Sequence, residues 1–155
     1  MQIDLSQFHH IFRGEAEVLL ARIDSSLSSL ESGNPDPALV ETVFRSAHTL
    51  KGAAAALELG EIRDLALALE RAFASRKGAS VEGKLLQAAA AASLLVREML
   101  RVLGRTSDPL RAAANRVRDD LIELAAPSAQ EQGLDAGTQQ SGAIRALLHY
   151  QGARR

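Results

Sequence analysis

The sequence predicts an all-α protein: an antiparallel four-helix bundle with an additional C-terminal helix. Three observations carry that expectation. Apolar residues recur at steps of three and four, the spacing that lines one face of a helix. Glycine and proline fall where helices should stop and start. Aromatic residues are only 3 % of the chain and Trp is absent, so the core must be built from Leu, Ala, Val and Ile. That composition suits closely packed helices better than sheets, where β-branched and aromatic residues are favoured. No strand pattern and no internal repeat is present.

The first helix is expected over residues 5–31. Asp4 is its N-cap, with Gln7 three residues later, and Gly33-Asn34-Pro35 closes it. Its stripe is Phe8, Phe12, Ala16, Leu19, Ile23, Leu27 and Leu30. Asp36 caps a second helix over 37–59, with Pro37 at the first position, where its missing N–H costs nothing. A third follows over 61–77, stopped by Gly78. Ser80 opens a fourth over 81–103, ended by Gly104, with the run Ala88 to Ala92 permitting close helix contact. Asp108-Pro109 repeats the cap-plus-proline signal for a fifth over 109–125, whose stripe is Leu110, Ala114, Val117, Leu121 and Leu124. Residues 1–125 are thus expected to form the bundle and 126–155 a disordered linker or tail, since PSAQEQGLDAGTQQSG has almost no apolar content. Ile144 to Tyr150 has helical character but is too short to hold a helix alone.

Charge and composition exclude several classes. A formal net charge of -1 and a pI near 6.4 oppose nucleic-acid binding, which calls for a basic face. The absence of cysteine removes disulfide and thiolate chemistry. Asp4, His9, His10 and Arg13 interrupt any apolar leader, and nothing approaches the ~20 apolar residues of a membrane span. A cytoplasmic protein with no membrane contact, monomeric as a module, is the expectation. His9 and His10 are adjacent and point about 100° apart on a helix, a poor metal pair. Arg111, Arg116, Arg118, Asp119 and Asp120 read as a solvated helix face.

The chemistry points to the second helix. Its core stripe is Val43, Ala47, Leu50, Ala54 and Leu57, which leaves His48 at the edge of the buried face, looking partly outward. Lys51 and Gly52 follow one turn on. Glycine within a helix costs about 1 kcal/mol relative to alanine, and its simplest explanation is access for a bulky partner to the imidazole. A close helix contact at Gly52 is the rival. If the chain reverses at Leu59, His48 and Glu70 are each eleven residues from the turn, at equal height in an antiparallel hairpin. Glu70 follows Leu69 of the stripe Ile62, Leu65, Leu69 and Phe73, so it too lies at the edge of the core. A carboxylate there can accept one ring N–H, set the tautomer and leave the other nitrogen free as a nucleophile. Lys51 can offset charge on a phosphoryl group attached there. Taken singly, His48 reads as a tolerated surface residue, Lys51 as a snorkelling side chain, and Glu70 as a partner for Arg63 or Arg71. It is the set of four that points to chemistry.

The run Ala47-His48-Thr49-Leu50-Lys51-Gly52-Ala53-Ala54 resembles the A-H-x-L-K-G-x-A signature of histidine-containing phosphotransfer (HPt) domains. It is most similar to the N-terminal domain of CheA-type chemotaxis kinases. Phe12, Glu15-Ala16 and Leu19-Leu20 resemble that domain's opening F-x-x-E-A-x-x-L-L, so the likeness covers roughly residues 4–103. Two places depart from the pattern: Leu67 stands where such domains often have a second histidine, and Ala55-Ala56-Leu57-Glu58-Leu59 replaces a glycine- and aromatic-containing stretch. The resemblance implies that His48 accepts a phosphoryl group from the ATP-binding domain of a histidine kinase. It passes the group to a receiver-domain aspartate of a CheY-like response regulator, whose magnesium sits on the receiver. Lys51 and Gly52 are then neighbours of the acceptor and Glu70 its hydrogen-bond partner. No ATP-binding motif is present, so no cofactor is expected in this chain: it is either part of a longer kinase or a free-standing shuttle. Two rivals from other classes are a non-catalytic helical adaptor, which needs none of this arrangement, and a helix-turn-helix DNA binder, which the charge balance opposes.

Overall fold

In the computed structural model, which describes residues 5–103 and 105–126, the described residues fold into five helices. These are α1 (Leu5–Glu31), α2 (Pro37–Ala56), α3 (Gly60–Ala74), α4 (Gly83–Arg101) and α5 (Asp108–Ala125). No strand occurs among the described residues. The expected cap Asp4, the stop at Gly104, and the tail after Ala126 with its segment Ile144 to Tyr150 lie outside them.

Helix α2 packs on α1 and α3, and α4 packs on α3 and α1, so the first four helices close a ring. Helix α5 lies outside that ring against α3 and α4. Inside, Leu20, Ile23, Leu50, Leu65, Leu69, Phe73, Leu85, Met99 and Leu100 are fully buried. Ala16, Ala47, Ala54, Ala66, Ala72, Ala89 and Ala92 are completely covered between them, and these small side chains let the backbones approach. The α1–α4 side of the ring is closed by polar contacts. The Ser93 hydroxyl donates to Asp24 Oδ1 at 2.6 Å, while Arg97 donates to Asp24 Oδ2 at 2.6 Å and Glu17 Oε2 at 3.1 Å.

One expected core residue is not in the core. Phe8 is 50 % exposed, with Leu5 and Ile11 similarly open. Periodicity identifies the face correctly, but α1 has 27 residues against 20 in α2. At 1.5 Å per residue it is about 10 Å longer, and its first turns run past the neighbouring helix ends.

Several helix ends also differ from the sequence reading. Helix α2 starts as expected, with Asp36 Oδ1 accepting from the Ala38 N–H at 2.9 Å and Pro37 in its first turn. It stops at Ala56, three residues before the expected end, because Glu58 takes a left-handed φ of 57°. The Leu59 N–H then bonds back to Ala54 O and the Glu58 N–H to Ala55 O, the paired closure of a Schellman cap. Gly60 therefore begins α3 rather than ending α2. Helix α3 ends at Ala74, not Lys77, because the last turn tightens: Ser75 Oγ donates to Ala72 O and the Arg76 N–H to Phe73 O. Gly78 completes the turn at φ +80°. Ser80 is not the cap of α4; that helix starts at Gly83 after Glu82, whose carboxylate faces Arg76 at 3.4 Å. At α5 the cap is Ser107, accepting from the Leu110 N–H, while Asp108 is already helical and pairs with Arg111.

Candidate functional site on the α2–α3 hairpin

The two helices that carry the site are joined by only Leu57, Glu58 and Leu59. Val43, Ala47, Leu50 and Ala54 anchor α2, and Ile62, Leu65, Leu69 and Phe73 anchor α3. His48 is adjacent to the buried Ala47, and Glu70 to the buried Leu69, so both are pinned to the rim by neighbours that cannot rotate out of the core.

His48 Nδ1 lies 3.2 Å from Glu70 Oε1 across the hairpin. The imidazole is 62 % exposed, whereas the carboxylate is only 15 % exposed. Lys51 Nζ lies 2.6 Å from Glu70 Oε2, a charge contact rather than an aligned hydrogen bond. Burial works to raise the Glu70 pKa, but the contacts from Lys51 and His48 together outweigh it and hold the carboxyl below its ordinary value. Glu70 is therefore an anion at neutral pH, an acceptor only. Facing this anion, a neutral ring carries its hydrogen on Nδ1 and its lone pair on Nε2.

The structure thus brings together His48, Lys51 and Glu70. Gly52 lies one turn beyond His48 on the same helix and is exposed; a Cβ built there meets nothing within 4 Å. The close helix contact considered from sequence is absent, and no positive φ calls for glycine at this position. The cation on Glu70 is Lys51 rather than Arg63, which pairs with Asp64. Leu67 is partly buried on α3.

Three residues that the sequence reading did not single out also belong to this surface. Phe44, one turn before His48, stacks on the imidazole with ring centroids 6.4 Å apart and planes at 25°. Lys77 Nζ stands 3.9 Å from the Phe44 ring centroid. Glu41 bridges Lys77 at 3.1 Å and Arg45 at 2.6 Å. The spacing of Phe44, four before the histidine, was the available signal.

Among the described residues no cluster of three or more His, Cys, Asp or Glu side chains could hold a metal ion. No helix among them is long and apolar enough to cross a membrane.

Known proteins are similar to this chain in sequence. A family model described as Hpt domain matches residues 7–149. The chain is 29 % identical over 117 residues to the chemotaxis protein CheA of Rhizobium meliloti (strain 1021), covering 76 % of this chain and 14 % of that protein. It is 34 % identical over 70 residues to CheA of Klebsiella aerogenes, covering 45 % of this chain and 11 % of the relative. Against CheA of Salmonella typhimurium it is 39 % identical over 54 residues, 35 % of this chain and 8 % of the other. The chain spans at most 14 % of the length of these relatives. No solved structure matches it. The family match begins within the first turn of α1 and continues past the end of α5, taking in the whole hairpin with its exposed histidine; the chain belongs to the Hpt domain family.

Proposed function

We propose that His48 is the phospho-acceptor of a two-component phosphorelay, serving a histidine kinase as donor and the receiver domain of a CheY-like response regulator as acceptor. Membership in the Hpt domain family and the likeness to CheA proteins support histidine phosphotransfer in a two-component system. The observation that carries the residue assignment is the exposed imidazole whose Nδ1 faces a covered, ionised Glu70.

The Nε2 lone pair attacks the γ-phosphorus of ATP held by the kinase domain. The Nε2–P bond forms as the bond to the β–γ bridging oxygen breaks, and ADP leaves with that electron pair. Nδ1 keeps its hydrogen, so the ring becomes cationic, and Glu70 stabilises that charge at 3.2 Å. In the second step a receiver carboxylate attacks the same phosphorus. The Nε2–P electrons return to the ring, which is neutral again with Nδ1 still protonated. Magnesium in this step belongs to the receiver. Lys51 is the cation for the phosphoryl oxygens, exchanging part of its contact with Glu70 for the new charge. Gly52 keeps the approach to Nε2 open.

The test is phosphorylation of the full chain by a histidine kinase with ATP, and separately by phosphoramidate, a small donor that loses ammonia. Acid-labile phosphate on His48, absent from a folded His48→Gln variant, is the expected result. Undiminished labelling of that variant removes the assignment, and a chain that takes no label from either donor is better read as a helical adaptor.

A further inference from the structure

One hydrogen bond does not fix an imidazole. The Nδ1 contact to Glu70 restrains a single direction, and a ring that is 62 % exposed can still swing about that axis. A second restraint comes from inside α2. Side chains on a helix lean toward its N-terminus, over the turn before their own Cα, and four residues before His48 that place is held by Phe44. The two rings are stacked, 6.4 Å apart and 25° from parallel.

Phe44 is itself held. It is partly buried, with its inner side packed against the core. Lys77 lies over its ring at 3.9 Å, and the same ammonium is paired with Glu41, one turn earlier on α2. Lys77 comes from the turn that follows α3, so this clamp ties the far end of the hairpin back onto the helix carrying the histidine. A stacked ring and an edge hydrogen bond restrain different rotations of the imidazole.

The geometry points to Phe44 as a positioning residue for His48, an aromatic platform clamped by Lys77 and Glu41 that aims the Nε2 lone pair into solvent. The inference rests on the reading of His48 as phospho-acceptor. Phe44 touches neither donor nor phosphorus and acts only through the ring above it. A planar face is what the role requires; apolar bulk alone does not supply it.

The test compares the full-length chain with Phe44→Leu, Phe44→Tyr and Lys77→Gln. Two quantities are read: the tautomer of His48 from ¹⁵N shifts of the imidazole nitrogens, and the rate of phosphorylation by phosphoramidate. Phe44→Leu keeps the apolar volume but lacks a planar face. It should move His48 from a predominantly Nδ1–H ring to a tautomer mixture and slow phosphorylation by about tenfold, the order expected of a modest loss of orientation. Phe44→Tyr should restore both readouts to within about twofold, because the aromatic face returns. Lys77→Gln leaves the ring in place but removes its clamp, and should shift both readouts in the same direction by a smaller factor. It decides the matter if Phe44→Leu does not fold. A folded Phe44→Leu chain with an unchanged tautomer overturns the inference, whatever its rate. If wild-type His48 takes no phosphoryl group at all, the functional reading fails, while the ¹⁵N comparison still decides whether Phe44 orients the ring.

Discussion

Arg76 donates from Nη2 to the carbonyl oxygen of Leu124 at 2.9 Å, joining the turn after α3 to the last turn of α5, 48 positions away in the chain. The guanidinium is 5 % exposed and also faces Glu82 at 3.4 Å. A cation at a helix C-terminus satisfies a carbonyl that has no partner within the helix and complements the helix dipole. Replacing Arg76 with Met keeps much of the apolar stem but leaves that carbonyl unpaired. The expected loss is about 1.5–3 kcal/mol, the range for a hydrogen bond from a charged donor. Urea unfolding measures it, and faster amide exchange in the last turn of α5 should accompany it.

Glu58 predicts the opposite sign. Its left-handed φ of 57° costs a side-chain-bearing residue about 1–2 kcal/mol, a penalty that glycine escapes. Glu58→Gly should therefore stabilise the bundle, by about 1 kcal/mol after allowing for the greater freedom of glycine in the unfolded chain. A higher melting temperature with unchanged phosphorylation is the outcome to look for.

Gly52 separates stability from access. A methyl group there meets nothing within 4 Å, so Gly52→Ala should stabilise α2 by about 1 kcal/mol through helix propensity alone. The same methyl narrows the approach to Nε2. Phosphorylation by a kinase domain should slow, while the rate with phosphoramidate should not change. A wild-type rate with the kinase domain would remove the access role.

Glu70 links chemistry to pH. Its pKa is lowered in the folded state from 4.5. The folded chain therefore binds the Glu70 proton less readily than the unfolded chain does, and stability rises with pH across that interval. The contribution is fully present above pH 4.5, the unfolded value, and is lost as pH falls through the folded one. Glu70→Gln removes the charge at nearly constant size. The stability gap between wild type and variant should be widest at neutral pH and close in acid, read from urea midpoints. Glu70→Ala should slow phosphorylation on the order of ten- to a hundredfold without abolishing it, since on the proposed mechanism Nε2 remains the nucleophile and the exposed imidazole lies toward the weak end of acid–base assistance.

Much of this is legible in the sequence, because helix punctuation is local. Asp36 with Pro37 announces the start of α2, and the stripes of α2 and α3 follow from spacing alone. The meeting of His48 and Glu70 was legible from their equal distance to one turn, which needs only antiparallel packing. Hidden features depend on contacts made elsewhere. The Glu58 cap is hidden because a glutamate rarely takes a left-handed φ, while Gly60 two places on begins α3. The spacing of Phe44 places it beside His48, but that the two rings stack depends on the side-chain geometry. Lys77 reaches Phe44 because α3 ends early, at Ala74, an event decided by hydrogen bonds in its last turn.

The ring of helices has one seam made by partners distant in the chain, where Ser93 meets Asp24 across 69 positions and Arg97 meets Glu17 across 80. The His48 surface, in contrast, is built within one hairpin, with 22 positions between His48 and Glu70. Breathing of the protein should begin along the α1–α4 seam, whose closure asks the most of chain entropy. Parting there leaves the α2–α3 rim assembled. The module can loosen on one flank while the flank bearing His48 keeps its shape, so a partner docking there would meet the same surface whether the opposite wall is shut or ajar.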